Sequence, residues 1–167
     1  MRFAREREEG LRTLEQPPAL TIDELGRRLA AEFPETFSQE SGLAITAAWH
    51  GGCRVRQPFR PSSLRPGGTI SGVTMMMLAD VSMYIAVLAS IGWVPLAVTT
   101  NLTINFLRRP PPCTLEAECR LLKLGKRLAV GEISIGGDSA AGLLAHATST
   151  YSIPSAGEVT GNIIPLP

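Results

Sequence analysis

The chain predicts an α+β domain in which a curled antiparallel sheet wraps around one long central helix, with a shorter helical extension at the N-terminus. Three observations carry this. The run from Gly72 to Ile91 is apolar almost all round, as a helix buried on most faces must be. Downstream segments alternate apolar and polar residues with a period of two and are separated by Gly-rich turns, the pattern of half-buried antiparallel strands. Finally, 167 residues with 44% hydrophobic and 19% charged side chains suit one compact domain with a genuine core.

Residues 1–18 are charged and end in Pro17-Pro18, so a loose arm or short helix is expected there. Thr21-Ile-Asp-Glu24 has the form of a capping box. Ile22, Leu25, Leu29 and Phe33 then recur at helical spacing until Pro34 stops the pattern. The boundary of the main domain falls near residue 41. From Gly42, the alternation of Leu43, Ile45, Ala47 and Trp49, the turn Gly51-Gly52, and Cys53, Val55 and Gln57 predict two strands or one bent hairpin. Pro58 and Pro61 open a loop that Arg65-Pro-Gly-Gly68 closes, and Thr69-Ile-Ser-Gly72 leads into the central helix.

The covering strands follow. Val98, Thr100, Leu102, Ile104 and Phe106 are expected on one face and Thr99, Asn101, Thr103 and Asn105 on the other. After Arg108-Arg-Pro-Pro-Pro112, Leu115, Ala117, Cys119 and Leu121 alternate with Glu116, Glu118 and Arg120. Gly125-Lys126 turns the chain into Leu128–Ile135, and Gly136-Gly-Asp138 turns it into Leu143–Ile153, where His146, Thr148 and Thr150 share a face. The domain closes near residue 154, and 155–167 reads as an irregular Gly- and Pro-rich tail.

Composition narrows the function classes. A net charge of +1 gives no field suited to nucleic acid or a membrane surface. Cys53, Cys113 and Cys119 show no CxxC spacing, and His50 and His146 are scattered, so neither a disulfide scaffold nor a metal site is expected. The N-terminus mixes charges without an apolar stretch, which predicts a cytoplasmic protein. Gly72–Ile91 has the length of a membrane span, yet a central Asp costs about 2.5–3.5 kcal/mol to insert, and the strands beyond need a helix to pack on.

Asp80 is the one formal charge between Arg65 and Arg108. Desolvating a lone carboxylate on an apolar helix costs several kcal/mol unless something pairs with it or uses it. Two readings stand: a carboxylate on the helix's one wet stripe, satisfied by a Ser or Thr, or a general base or nucleophile in a pocket. Arg65, Arg108, Arg109, Lys126 and Arg127 read either as solvated surface charge or as a cradle for phosphates. Met75, Met76, Met77 and Met83 read as core packing. No G-x-S-x-G elbow and no phosphate-binding Gly loop is present in the sequence.

Gly68-Thr-Ile-Ser-Gly72, Leu78-Ala-Asp80, Thr99 to Arg109 and Gly125-Lys-Arg127 together resemble the hotdog-fold acyl-CoA thioesterases of the phenylacetate-degradation, PaaI-like, type over about residues 42–153. The resemblance implies a hotdog fold and hydrolysis of an acyl-CoA thioester. Asp80 would be base or nucleophile, Gly72 the backbone oxyanion donor, and Thr99 the residue that positions water. Ser71 stands where the family has a His, and Arg65 lies near its usual Asn or His. Gly68, Asn101 and the five cations Arg65, Arg108, Arg109, Lys126 and Arg127 are the implied substrate contacts. No cofactor is implied, since coenzyme A belongs to the substrate.

If the helix starts at Gly72, Asp80 lies about 12 Å further along its axis, too far for both to act on one thioester carbon. A second copy would supply the missing partner, in agreement with the family's habit of building sites between subunits. The expectation is an isologous homodimer, with a dimer of dimers as the next assembly. Two rival readings accompany this one: a non-catalytic acyl-CoA binding protein of the same fold, and an enoyl-thioester hydratase or dehydratase.

Overall fold

A computed structural model describes residues 16–138 and 140–155. Helix α1 (Ile22–Glu32) opens on the capping box seen in the sequence: the Thr21 hydroxyl accepts from the Glu24 N–H at 3.2 Å, and the Glu24 carboxylate accepts from the Thr21 N–H at 3.0 Å. Leu25 and Leu29 bury its apolar stripe in the core. The arm of residues 1–15 and the tail from 156 lie outside the described residues.

Strands β1 (Ala44–Trp49) and β2 (Gly52–Gln57) form the expected hairpin, with one irregularity between Ile45 and Ala47. The loop beyond is more ordered than its prolines suggest. A short 3-10 turn at Pro61–Ser63 leads to a miniature hairpin of β3 (Leu64–Arg65) and β4 (Thr69–Ile70). Pro66 and Gly67 occupy the centre of its turn, with Gly67 at φ 99°, and the Gly68 N–H bonds back to the Arg65 carbonyl at 3.1 Å. That is the Pro-Gly chemistry of a type II turn.

Helix α2 (Gly72–Ile91) runs for 20 residues, about 30 Å. Leu78, Met83, Ile85, Val87 and Leu88 are fully buried, and each such side chain contributes about 1.5–3 kcal/mol of transfer free energy. By length and apolarity α2 passes for a membrane span. Its burial under the sheet gives the same composition a different cause.

The sheet is six-stranded and antiparallel, in the order β1-β2-β6-β7-β8-β5. Strands β5 (Val98–Phe106), β6 (Leu115–Leu124), β7 (Leu128–Gly137) and β8 (Ala140–Ser152) are the predicted ones. The last three make a meander. β5, however, pairs with β8 at the edge rather than with β6. The Pro-rich connection from Leu107 to Thr114 makes this possible, because it is too long for a tight hairpin and carries the chain across to the far side of the meander. All six long strands pack their inner faces directly or in part on α2, so the sheet curls around the helix as a hotdog fold does.

One expectation fails in register. The period of two along β5 breaks at Thr100, where the pairing shifts between Thr99 and Asn101. Thr99 stands opposite Tyr151, Leu102 opposite Ser149 and Ile104 opposite Ala147, all inward positions, so Thr99 shares the helix-facing side with Leu102 and Ile104. Asn101 pairs with Thr150 and faces away. A bulge adds one residue and flips every side chain after it.

Candidate active site

Asp80 sits midway along α2, half-buried, on the single stripe of the helix that the sheet leaves open. Thr99 at the start of β5 donates its hydroxyl to Asp80 Oδ1 at 2.5 Å. Tyr151 on β8 donates to the same oxygen at 2.9 Å and reaches the Asp80 carbonyl at 3.1 Å. The Thr100 bulge is what turns Thr99 toward the carboxylate. Both readings of Asp80 therefore meet in part: a Thr does satisfy it, and it does so inside a pocket.

That pocket has a volume of about 490 Å³, within the range of small-molecule sites. Its walls come from four parts of the chain: Leu29, Glu32 and Phe33 of α1 and its cap, Val81 and Tyr84 of α2, Trp93 and Pro95 of the following connection, and the Thr99–Tyr151 pair of the sheet. Tyr84 and Tyr151 stack with ring centroids 6.2 Å apart, and the Tyr84 hydroxyl donates to the Pro95 carbonyl at 3.3 Å. Burial pushes the Tyr151 phenol far above its usual range, and the Asp80 charge adds to that shift. Tyr84 moves the same way, through burial first and then the Glu32 charge. Both phenols remain protonated donors at any ordinary pH.

A second cavity, about 220 Å³, lies at the start of α2 and collects Arg65, Gly72, Arg108 and Arg109 with Met75 and Phe106. Ser71 is the helix N-cap: its hydroxyl accepts from the Thr74 N–H at 3.2 Å and lies 2.9 Å from the Thr74 hydroxyl. Gly72 lines this cavity as the first residue of α2, where the backbone N–H has no partner within the helix and the helix dipole favours negative charge. A Cβ on Gly72 would stand 3.1 Å from the Phe106 ring, a tight contact that the ring would have to shift by a few tenths of an ångström to accept. Arg65 Nε donates to the Thr69 hydroxyl at 3.0 Å, and Gly68 lies at the end of the β3–β4 turn.

Of the residues singled out in the sequence, Asp80 and Thr99 come together, and Gly72, Arg65, Arg108 and Arg109 form a separate group. Lys126 and Arg127 belong to neither. Ser152 pairs with both Val98 and Leu128, whereas the N–H groups of Leu107 and Arg108 bond to Leu144. The two basic groups thus stand at opposite ends of β5, roughly 26 Å apart at the usual strand rise. Asn101 faces away from Asp80, and its side chain accepts from Thr103 at 3.4 Å. Tyr151 was missed. Its inward position follows from the alternation of Ala145, Ala147 and Ser149 against His146, Thr148 and Thr150, but nothing local points a lone strand Tyr at Asp80.

Among the described residues no cluster of His, Cys, Asp and Glu is arranged to hold a metal ion. Cys53, Cys113 and Cys119 are buried.

The thioesterase superfamily model matches residues 67–136, which span the whole of α2 and β5 through most of β7. A protein of Silicibacter sp. TM1040 described as a candidate thioesterase is 41% identical, with 83% of this chain and 94% of that one superposed at a TM-score of 0.74. Thioesterase superfamily member 2 of zebra fish matches at 19% identity, 81% and 100% coverage and a TM-score of 0.71. The PaaI protein of the Escherichia coli phenylacetic acid degradation operon matches at 20% identity, 81% and 97% coverage and a TM-score of 0.67. The last two likenesses concern the fold. No curated protein matches the sequence.

Proposed function

Because this chain belongs to the thioesterase superfamily, we propose that it hydrolyses an acyl-CoA thioester to the free acid and coenzyme A, at sites shared between two copies of the chain. The single observation that carries the reading is Asp80: the one carboxylate on a buried helix, held by hydrogen bonds inside a cleft large enough for an acyl group.

The chemistry asks for a positioned water, a base and an oxyanion donor, because a thiolate leaves readily. Asp80 takes a proton from water while the water oxygen bonds to the thioester carbon. The negative charge moves to the carbonyl oxygen, where the Gly72 N–H at the helix start stabilises it. Collapse breaks the carbon–sulfur bond, and the proton held by Asp80 passes to the departing thiolate. Direct attack by the carboxylate through an anhydride is the alternative course.

Gly72 and Asp80 of one copy stand about 12 Å apart along α2, so Gly72 of one protomer must work with Asp80 of its partner. Two features support such a pairing. β5 is an edge strand with unpaired backbone groups, and Val98, Phe106 and Leu107 are half-exposed along it. On α2 the open stripe adds Val73, 77% exposed, and Met76. An isologous arrangement that joins the two β5 edges covers these side chains. It also carries the Lys126–Arg127 end of the partner toward the Arg108–Arg109 end of this chain, so that cations from both copies flank the phosphates of coenzyme A. No cofactor takes part, and a cytoplasmic location fits a substrate made there.

The test is a panel of acyl-CoA thioesters with a free-thiol readout on the wild type and Asp80→Asn. Turnover that falls by about 10²–10⁴-fold in the variant is the expected result. Tight binding with no thiol release identifies an acyl-CoA binding protein instead, and water addition to an enoyl thioester a hydratase.

A further inference from the structure

Thr99 and Tyr151 approach Asp80 from different strands yet donate to the same carboxylate oxygen. Thr99 reaches Oδ1 at 2.5 Å and Tyr151 reaches it at 2.9 Å, while no hydrogen bond to Oδ2 is present among the described residues. A hydroxyl has one proton to give. Both are aimed at one side of the carboxylate, so the two oxygens of Asp80 are chemically unequal.

We propose that Tyr151 is a positioning residue: with Thr99 it holds Oδ1 of Asp80 and thereby dedicates Oδ2 to the reacting water or the thioester carbon. This rests on the thioesterase reading above and assigns the reacting atom within it. Two hydroxyl donors on one oxygen fix the carboxylate torsion, which otherwise rotates in a broad well, and they draw negative charge toward Oδ1. Oδ2 keeps its lone pairs for the substrate side.

The surroundings are built to keep Tyr151 in place. Only 3% of its surface is exposed, its ring stacks on Tyr84, and Tyr84 is tied in turn to the Pro95 carbonyl. The Tyr151 hydroxyl is also shared with the Asp80 carbonyl at 3.1 Å, so it spans the backbone and side chain of one residue. The assignment changes the role expected of Thr99. Its proton is committed to Asp80, which leaves it only lone pairs with which to accept from a water.

Steady-state kinetics of Tyr151→Phe, Thr99→Val and the double variant test the proposal, together with Thr99→Ser as the conservative control. Tyr151→Phe is expected to lower kcat about 10–100-fold, the range for losing a hydrogen bond to a charged group, with KM within about 2-fold. Thr99→Ser should retain most activity. The double variant should cost less than the product of the single effects, because both donors serve one oxygen.

A second measurement does not need turnover. The chain has three aspartates, Asp23, Asp80 and Asp138, so carbon-13 labelling of aspartate carboxyls resolves Asp80 by NMR. At fixed neutral pH, losing a donor changes the electron distribution of the carboxylate and moves its carbon-13 resonance. A resonance that moves in Tyr151→Phe supports the assignment. An unmoved resonance, or a variant with wild-type kcat, overturns it and leaves the thioesterase reading intact. A wild type that hydrolyses none of the panel overturns that reading, and the resonance then decides the Oδ1 contact alone.

Discussion

Phe106 closes over Gly72: the ring stands where a Cβ on that glycine would come within 3.1 Å. The last residue of β5 thereby sets the shape of the cavity at the helix start. Substituting Gly72→Ala leaves the backbone N–H in place and displaces only the ring. Activity is expected to fall by about 10-fold, as small misplacements near reacting atoms do, and Phe106→Ala in the same chain should recover part of it. Kinetics of the two single variants and the pair check this.

Gly72 is the first residue of α2, the position at which proline is best tolerated. Gly72→Pro therefore removes the oxyanion donor and keeps the helix. Mixed with Asp80→Asn after unfolding and refolding together, it should restore about 25% of wild-type activity, since half the dimers would be mixed and each would hold one intact site. Recovery absent under conditions where mixed dimers are seen by mass spectrometry contradicts the shared site. Sedimentation of the wild type as an active monomer contradicts it as well.

Leu88 is fully buried on α2. Leu88→Ala should destabilise the protein by about 2–5 kcal/mol, read as a lower midpoint in urea. The open stripe offers the contrast. Val73→Ala, at an exposed position, should leave the stability of the monomer within about 0.5 kcal/mol while weakening self-association.

Hydrogen bonds from Thr21 lower the Glu24 carboxyl below its usual value of 4.5. A carboxylate depressed in the folded state contributes stability above its unfolded pKa, and that contribution is lost as pH falls through the folded one. The stability difference between the wild type and Glu24→Gln should thus be present at pH 7 and shrink on acidification below about pH 4. Urea titrations at stepped pH measure it.

Burial raises the thiols of Cys53 and Cys119 well above their ordinary range. The native protein is expected to stay unlabelled at these positions by a disulfide reagent at pH 8 and to react on unfolding, because the thiolate is the reactive form. Labelling followed by peptide mapping tests this. It also predicts little background in the free-thiol assay.

The parts of this protein governed by local pattern were legible in its sequence. The capping box at Thr21, the stop before Pro34, the apolar length of α2 and the alternation of β6 to β8 all depend on residues within one turn or one strand of each other. Asp80 stood out because its neighbours carry no charge. What the sequence left open was set by contacts between residues far apart in the chain: β5 at the sheet edge beside β8, the Thr100 bulge that brings Thr99 inward and sends Asn101 out, and Tyr151 placed on Asp80 from 71 positions away. A one-residue shift in strand register costs little in local propensity and reverses every side chain beyond it, so only packing against α2 could decide which hydroxyls the carboxylate would meet.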